Sequence, residues 1–255
     1  MNRILYIRPV ANGPRAHDMN IALQAAAAPE TTVELVSLAK QQPRHLEFHA
    51  YEALALGEIV QRVRAATATH AAIILGGFYD MGLRAAREIS GSAFVTAPCE
   101  SATSIAVQLG NSFSILVGRR KWTPRVSDNL LRYGRLNACA SIRDIDLGVD
   151  DIHTHDETLD RFITAGRACI DEDGAEVIIL GCTADYGFHE KLRDELGVPV
   201  IDSMIAALKM AEMLVAGGKA FGWQPSRVHG SGAPPESEIE AWGIFDRLAN
   251  DKERT

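Results

Sequence analysis

The chain is predicted to be an α/β protein of two pseudo-symmetric Rossmann-like lobes, each a roughly four-stranded parallel sheet flanked by helices, with the active site in the cleft between lobes. Three observations predict this. Short apolar, β-branched runs alternate with helix-periodic segments along most of the 255 residues, the pattern of parallel strands joined by right-handed crossovers. One run repeats: Ile178-Ile179-Leu180-Gly181-Cys182-Thr183-Ala184-Asp185-Tyr186-Gly187 matches Ile73-Ile74-Leu75-Gly76-Gly77-Phe78-Tyr79-Asp80-Met81-Gly82, 105 residues earlier. Both stop at glycine and lead into a helical pattern, as a buried strand and its strand-to-helix turn do. Finally, Arg8 follows the first strand of one half and Arg119 the first strand of the other, 111 residues apart, so the internal relation reaches beyond the central stretch and two guanidiniums are expected at one cleft.

Arg3 to Ile7 forms the first strand, and Arg8-Pro9-Val10-Ala11-Asn12-Gly13-Pro14 reads as a turn-rich loop before a helix from Asp18 to Ala28. Thr32 to Leu38 is the second strand. Leu56, Ile59, Val60 and Val63 recur at helical spacing within Glu52 to Ala66, which carries the chain to the strand Ala71 to Leu75. Leu83 to Ile89 is helical and Ala93 to Thr96 is the fourth strand. Ala97-Pro98-Cys99-Glu100-Ser101 then opens a helix from Ala102 to Leu109. The second half begins with Phe113 to Gly118 and the basic loop Arg119-Arg120-Lys121. A helix around Val126 to Tyr133, a strand near Ala138 to Ile142 and a helix from Glu157 to Asp171 lead to the Cys182 strand. After it come a helix (Phe188 to Leu196), a strand (Val198 to Ile201) and a helix (Met204 to Val215). Past Trp223 a loop rich in Pro and Gly precedes an amphipathic helix from Glu238 to Ala249, built on Ile239, Trp242, Phe245 and Leu248, for packing on the first lobe or on a neighbouring subunit. Residues 1–110 with 204–255 are assigned to the first lobe and 111–203 to the second.

Composition narrows the function classes. The 47% hydrophobic and 23% charged residues are those of an ordinary globular protein, and the length suffices for one large α/β domain or two small lobes. No apolar run reaches the ~18 residues a membrane span needs. The start, Met1-Asn2-Arg3-Ile4-Leu5-Tyr6, goes straight into a strand rather than a signal peptide, so a cytoplasmic location is expected. A formal net charge of −7 argues against nucleic acid as a partner, because phosphate binding rests on clustered Lys and Arg. The four cysteines, Cys99, Cys139, Cys169 and Cys182, make no C-x-x-C pair, which removes zinc-ribbon and thioredoxin readings. One working thiol among packed ones fits better. The expected partners are a small-molecule substrate and further copies of the chain.

Cys182 stands where the strand-end loops of parallel sheets gather ligands, and its counterpart at the 105-residue offset is Gly77. Two related half-sites are thus implied, one with a thiol. At a helix start a thiol's pKa falls below its usual ~8.5, which suits Cys182 to proton transfer near neutrality. Abstraction of a proton α to a carbonyl also needs a receptor for the enolate oxygen. The backbone around Phe78-Tyr79 and Thr183-Ala184 is the candidate, with the Tyr79 and Thr183 hydroxyls. Asp80 and Asp185 also stand 105 residues apart and read equally well as helix caps. His45-Leu46-Glu47-Phe48-His49 lacks the H-E-x-x-H order of zinc proteases, and His153-Thr154-His155-Asp156 aligns two ligands only if extended, so no metal site is assigned. Arg119-Arg120-Lys121 is either a solvated loop or, at a strand's carboxyl end, a clamp for a carboxylate or imide. Cys139 and Cys169 lie in apolar periodic segments and read as packing residues.

Several of these stretches together resemble the aspartate/glutamate/hydantoin racemase superfamily, and its hydantoin racemase branch most closely. They are Phe78-Tyr79-Asp80-Met81-Gly82-Leu83-Arg84-Ala85-Ala86-Arg87-Glu88, Phe113-Ser114-Ile115-Leu116, Arg143-Asp144-Ile145-Asp146, Leu180-Gly181-Cys182 and Gly197-Val198-Pro199-Val200-Ile201-Asp202, within Ile4 to Ala216. The resemblance implies two lobes with the site between them, no cofactor, and two cysteines on opposite faces of the substrate, one removing an α-proton and the other delivering one. Cys182 matches the second; the first would fall at Gly77. Arylmalonate decarboxylases, which are related, also have glycine at that position, and their one remaining cysteine protonates the carbanion left by departing carbon dioxide. The loop at Pro9 and Val10 departs from the family's richer asparagine and threonine content.

The expected function is therefore a cofactor-independent racemase or isomerase of a hydantoin-like or amino-acid-derived substrate, with Cys182 as acid and base. The alternatives are a decarboxylase of substituted malonates with Cys182 as sole proton donor, and a non-catalytic binding protein on the same scaffold. Cys99, at the end of a neighbouring strand, is the candidate to replace the missing thiol. Pro9, Val10, Gly77, Phe78, Tyr79, Glu100, Arg119, Thr183 and Ala184 are the expected substrate contacts, Glu100 reading also as a helix cap.

Overall fold

A computed structural model describes residues 1–243 and Phe245. Eight strands form two parallel sheets: β1 (Asn2–Ala11), β2 (Thr31–Leu38), β3 (Ala72–Leu75) and β4 (Phe94–Thr96) in one, and β5 (Phe113–Val117), β6 (Cys139–Asp144), β7 (Val177–Leu180) and β8 (Val200–Asp202) in the other. Their spatial orders, β2-β1-β3-β4 and β6-β5-β7-β8, are the same, so the offset seen in the sequence is a repeat of the whole topology. The predicted fold class is the observed one: two four-stranded parallel sheets flanked by helices.

Strands β3 and β7 are apolar throughout, and β5 is apolar but for Ser114, because both faces of each sheet are covered. One face of the first sheet, with Leu5, Ile7, Ile73 and Leu75, packs on Ile59 and Val63 of α2 (His49–Ala66) and on Leu83 and Ala86 of α3 (Leu83–Ile89). The matching face of the second, with Leu116, Ile178 and Leu180, packs on Phe162 of α6 (Thr158–Asp171) and Leu192 of α7 (His189–Leu196).

The other two faces are covered crosswise. Helix α4 (Pro98–Leu109) leaves the first sheet's last strand, yet its Ala102 and Ala106 pack on Phe113, Ile115 and Ile179 of the second sheet, beside Val126 and Leu130 of α5 (Thr123–Arg132). Helix α8 (Ser203–Phe221) leaves the second sheet, and its Met204, Leu208 and Ala211 pack on Ile4, Tyr6 and Ile74 of the first, beside Met19 and Leu23 of α1 (Arg15–Ala26). A division at residue 110 follows chain order; by packing, α4 serves the second lobe.

Arg8-Pro9-Val10-Ala11, expected as loop, is the end of β1. The strand continues through an irregularity between Arg8 and Ala11, where Pro9 has no N–H to give to a ladder. The segment after α8 lies on the first lobe, with Arg227 donating to the Ser90 hydroxyl at 2.9 Å and to the carbonyls of Arg87 and Gly91. The last described helix, α9 (Glu236–Trp242), ends at Gly243; of the helix expected to Ala249, Ile244 and 246–249 lie outside the described residues. Among the described residues no helix is long and apolar enough to cross a membrane.

Candidate active site

The carboxyl ends of β1, β3 and β7 meet at a cleft of about 90 Å³ between the lobes. It is lined by Pro9 and Val10 from β1, Gly76 to Tyr79 after β3, and Gly181 to Ala184 after β7. Cys182 is the one cysteine in this lining among the described residues. Sequence reasoning thus placed Pro9, Val10, Gly77, Phe78, Tyr79, Cys182, Thr183 and Ala184 at positions that the fold brings together.

Cys182 opens a single 3-10 turn, Thr183–Asp185. Its N–H donates to Asp185 Oδ2 at 3.1 Å, and the Ala184 N–H donates to its sulfur at 3.4 Å. Burial, then the Asp185 carboxyl, raise the thiol above the ordinary cysteine range, and the Ala184 N–H and Arg15 only partly offset them. The expectation of a lowered pKa is therefore corrected: one 3-10 turn supplies little dipole, while enclosure disfavours the anion. The resting sulfur carries its proton.

The Thr183 hydroxyl spends its one proton on the Gly76 carbonyl at 2.8 Å, so it is no donor for an enolate oxygen, and it ties one lobe to the other. Tyr6 donates to the same carbonyl at 3.3 Å. Asn129 spans the lobes likewise, donating to the Tyr79 carbonyl at 2.7 Å. What remains free is the backbone: the N–H groups of Phe78, Tyr79 and Thr183 have no acceptor among the described residues. The Tyr79 hydroxyl and the Trp122 indole N–H are also buried without a partner, and both residues line the cleft. Buried donors left unpaired cost free energy, which a bound acceptor recovers.

Three expected site residues lie elsewhere. Cys99 is fully buried (0% exposed) among Ala102, Phe113 and Ile115, because it rides on α4 into the second lobe's core; its thiol is raised well above the usual range by burial. It does not line the cleft, so it is no substitute for a thiol at position 77. Glu100 pairs with Arg87 and faces a separate cavity among α3, α4, α5 and α8. Arg119 is half exposed and reaches toward Glu47 at 3.8 Å rather than into the cleft. Of the two guanidiniums expected at one cleft, Arg8 lines it and Arg119 does not.

The aspartate pair resolves into two caps of different reach. Asp185 serves its own turn, whereas Asp80 accepts the Cys99 and Glu100 N–H groups at the start of α4, at 2.9 and 2.8 Å, and the Tyr133 hydroxyl at 2.8 Å. Burial pushes the Asp80 carboxyl up to about 7 against these three donors.

Arg15, His45, Glu47 and Trp122 line the cleft without having been singled out as contacts. Residues His45 and Glu47 belong to the loop after β2, and Trp122 to the one after β5; in open α/β sheets such carboxyl-end loops converge on the site, which is the signal that finds them. Arg15 crosses the cleft mouth to the Val149 carbonyl and the Asp150 carboxylate. Glu47 accepts the Val149 N–H at 3.2 Å. The Nε2 of His153 bonds the Ala184 carbonyl at 2.7 Å, and its ring lies against Tyr186 and Phe188. Among the described residues no group of three or more His, Cys, Asp or Glu is placed to hold a metal ion.

The chain matches the Asp/Glu/Hydantoin racemase family model over residues 4–211. It is 32% identical over 242 residues to a hydantoin racemase of Paenarthrobacter aurescens, covering 92% of this chain and 99% of the relative. Among solved structures it superimposes on an allantoin racemase from Klebsiella pneumoniae with a TM-score of 0.84 at 29% identity, covering 92% of this chain and 94% of the other. A liganded double mutant of arylmalonate decarboxylase aligns with a TM-score of 0.65 at 17% identity, over 86% and 94% of the two chains, and shares the fold. The chain belongs to the Asp/Glu/hydantoin racemase family.

Proposed function

We propose that this racemase-family chain moves a proton at the carbon α to a carbonyl in a hydantoin-like or amino-acid-derived substrate, without a cofactor, using Cys182 as acid and base. The observation that carries the reading is the one thiol in the lining of the inter-lobe cleft among the described residues, in a lining that also includes residues of both half-sites whose backbone N–H groups have no acceptor. The Cys182 thiol first gives its proton to water, and the thiolate so formed takes the α-proton, whose bonding electron pair stays behind in an enolate. The developing oxygen charge is received by the Phe78, Tyr79 and Thr183 N–H groups, and the thiol returns the proton to carbon. The hydantoin substrate class is supported by the relative from Paenarthrobacter aurescens. No cysteine lies on the Gly77 side of the cleft, so exchange at the Cys182 face is expected to outrun inversion.

Gly77 favours a second reading. In a substituted malonate the breaking C–C bond leaves its electron pair on the α-carbon as carbon dioxide departs, and the protonated Cys182 thiol then supplies one face only. Water reprotonates the sulfur.

Incubation of single enantiomers in deuterated water separates the readings. Proton transfer predicts deuterium at the α-carbon of 5-substituted hydantoins or N-carbamoyl amino acids, while decarboxylation predicts carbon dioxide and one product enantiomer from arylmalonates. Absence of both across such a panel leaves a binding protein.

A further inference from the structure

Arg8 is a buried cation in the cleft lining without an ion-pair partner among the described residues. It is 7% exposed, at the irregular end of β1, and its one hydrogen bond within the protein runs from Nη1 to the Ala11 carbonyl at 2.7 Å. No carboxylate of the described residues lies within ion-pair distance of it, although nearly every other buried or half-buried cation of the lobes has one: Arg15 has Asp150, Arg62 has Glu58 and Arg125 has Glu52. Burial, and then the charge of Arg15, lower its pKa, with Tyr6, Tyr186 and Asp150 only partly offsetting them. The residue lines the same cleft as Cys182.

Burying an unpaired guanidinium is costly, and such a group persists where a ligand completes it. With Nη1 occupied, the Nε–Nη2 edge remains, and that edge is the two-pronged fork that matches a planar carboxylate. We infer that Arg8 binds a carboxylate of the substrate, so that the preferred substrates are carbon acids bearing a carboxylate, of the N-carbamoyl amino acid or malonate type, rather than neutral cyclic ureides. Arg8 then acts as the specificity-determining residue. When the α-carbon becomes carbanionic, charge spreads onto the carboxylate oxygens, and the same fork holds them more tightly than in the ground state. The inference rests on the α-carbon chemistry proposed above, with which the hydantoin class of the relatives stands as the contrast.

The test compares N-carbamoylphenylalanine and phenylmalonate with 5-benzylhydantoin by titration calorimetry, in a Cys182→Ala background that prevents turnover. Arg8→Met should weaken the two carboxylates by about 10–100-fold and leave the hydantoin within about twofold. Arg8→Lys, which keeps the charge and loses the fork, should fall between, and it carries the test if the Met variant does not fold. Three results overturn the inference: carboxylate binding unchanged by Arg8→Met, equal losses for the carboxylates and the hydantoin, or a parent protein that binds only the hydantoin. Should the protein with Cys182 intact exchange no α-proton in any probe while carboxylate binding still depends on Arg8, the proton-transfer reading falls and the carboxylate site stands.

Discussion

After β3 the chain runs Leu75-Gly76-Gly77, and after β7 it runs Leu180-Gly181-Cys182. The first glycine of each pair is set by space. A Cβ on Gly76 would lie 2.3 Å from the Tyr6 ring, and one on Gly181 would lie 2.6 Å from the Leu116 carbonyl oxygen. The second position is under no such restraint. A Cβ on Gly77 would meet Met81 Cε at 2.8 Å, the far end of a flexible side chain, and Pro9 Cγ at 3.2 Å. The duplicated turn thus keeps what holds the strand in place and leaves its chemistry free to differ between the halves.

The largest expected effect breaks the comparison on its active side. Cys182→Ala should cut α-proton exchange, or product formation, by about a thousandfold. Loss of less than tenfold would place the proton carrier elsewhere. Adding a thiol to the other half sharpens the comparison: Gly77→Cys, with Met81 displaced, should raise the rate of inversion relative to exchange by about a hundredfold, read by chiral chromatography beside deuterium incorporation. Unchanged stereochemistry in a folded variant would show that position 77 does not face the reacting carbon.

A smaller effect concerns the state of the thiol. A pKa above that of free cysteine means less thiolate at neutral pH. Iodoacetamide should therefore label Cys182 about tenfold more slowly than free cysteine at pH 7.5, with the rate still climbing beyond pH 9. Fast labelling at pH 7.5 would contradict the protonated resting state. Slow labelling is accordingly no argument against the decarboxylase reading, whose proton donor needs the thiol form, whereas α-proton abstraction draws on the thiolate fraction. The smallest effect belongs to Cys99→Ala, which should leave turnover unchanged and cost about 1 kcal/mol of stability, a drop of about 2–4 °C in melting temperature. A changed rate with unchanged stability would return Cys99 to the cleft.

The repeat, the alternation of strands with helices and the Cys182 turn were all legible in the sequence, because apolar runs and their glycine stops are local signals. What eluded it was which neighbour a side chain meets. Cys99 read as a cleft residue because it follows a strand, and the helix it opens carries it to the other lobe. Glu100 and Arg119 met partners distant in sequence, Arg87 and Glu47. His45 and Glu47 were weighed only as metal ligands, a question of spacing, whereas their place in the loop after β2 is a question of topology. Thr183 shows the same limit at the scale of one atom: the residue is in the cleft, yet its hydroxyl is committed to Gly76.

The crosswise helices α4 and α8 carry one more consequence. Each sheet is completed by a helix encoded in the other half of the chain, so neither half alone can cover its own apolar surface. Cut between Gly110 and Ser112, the polypeptide would yield two fragments that are insoluble or unfolded singly and that assemble when mixed. In that sense the protein is built like a dimer of half-chains with swapped C-terminal helices, joined by a peptide linker.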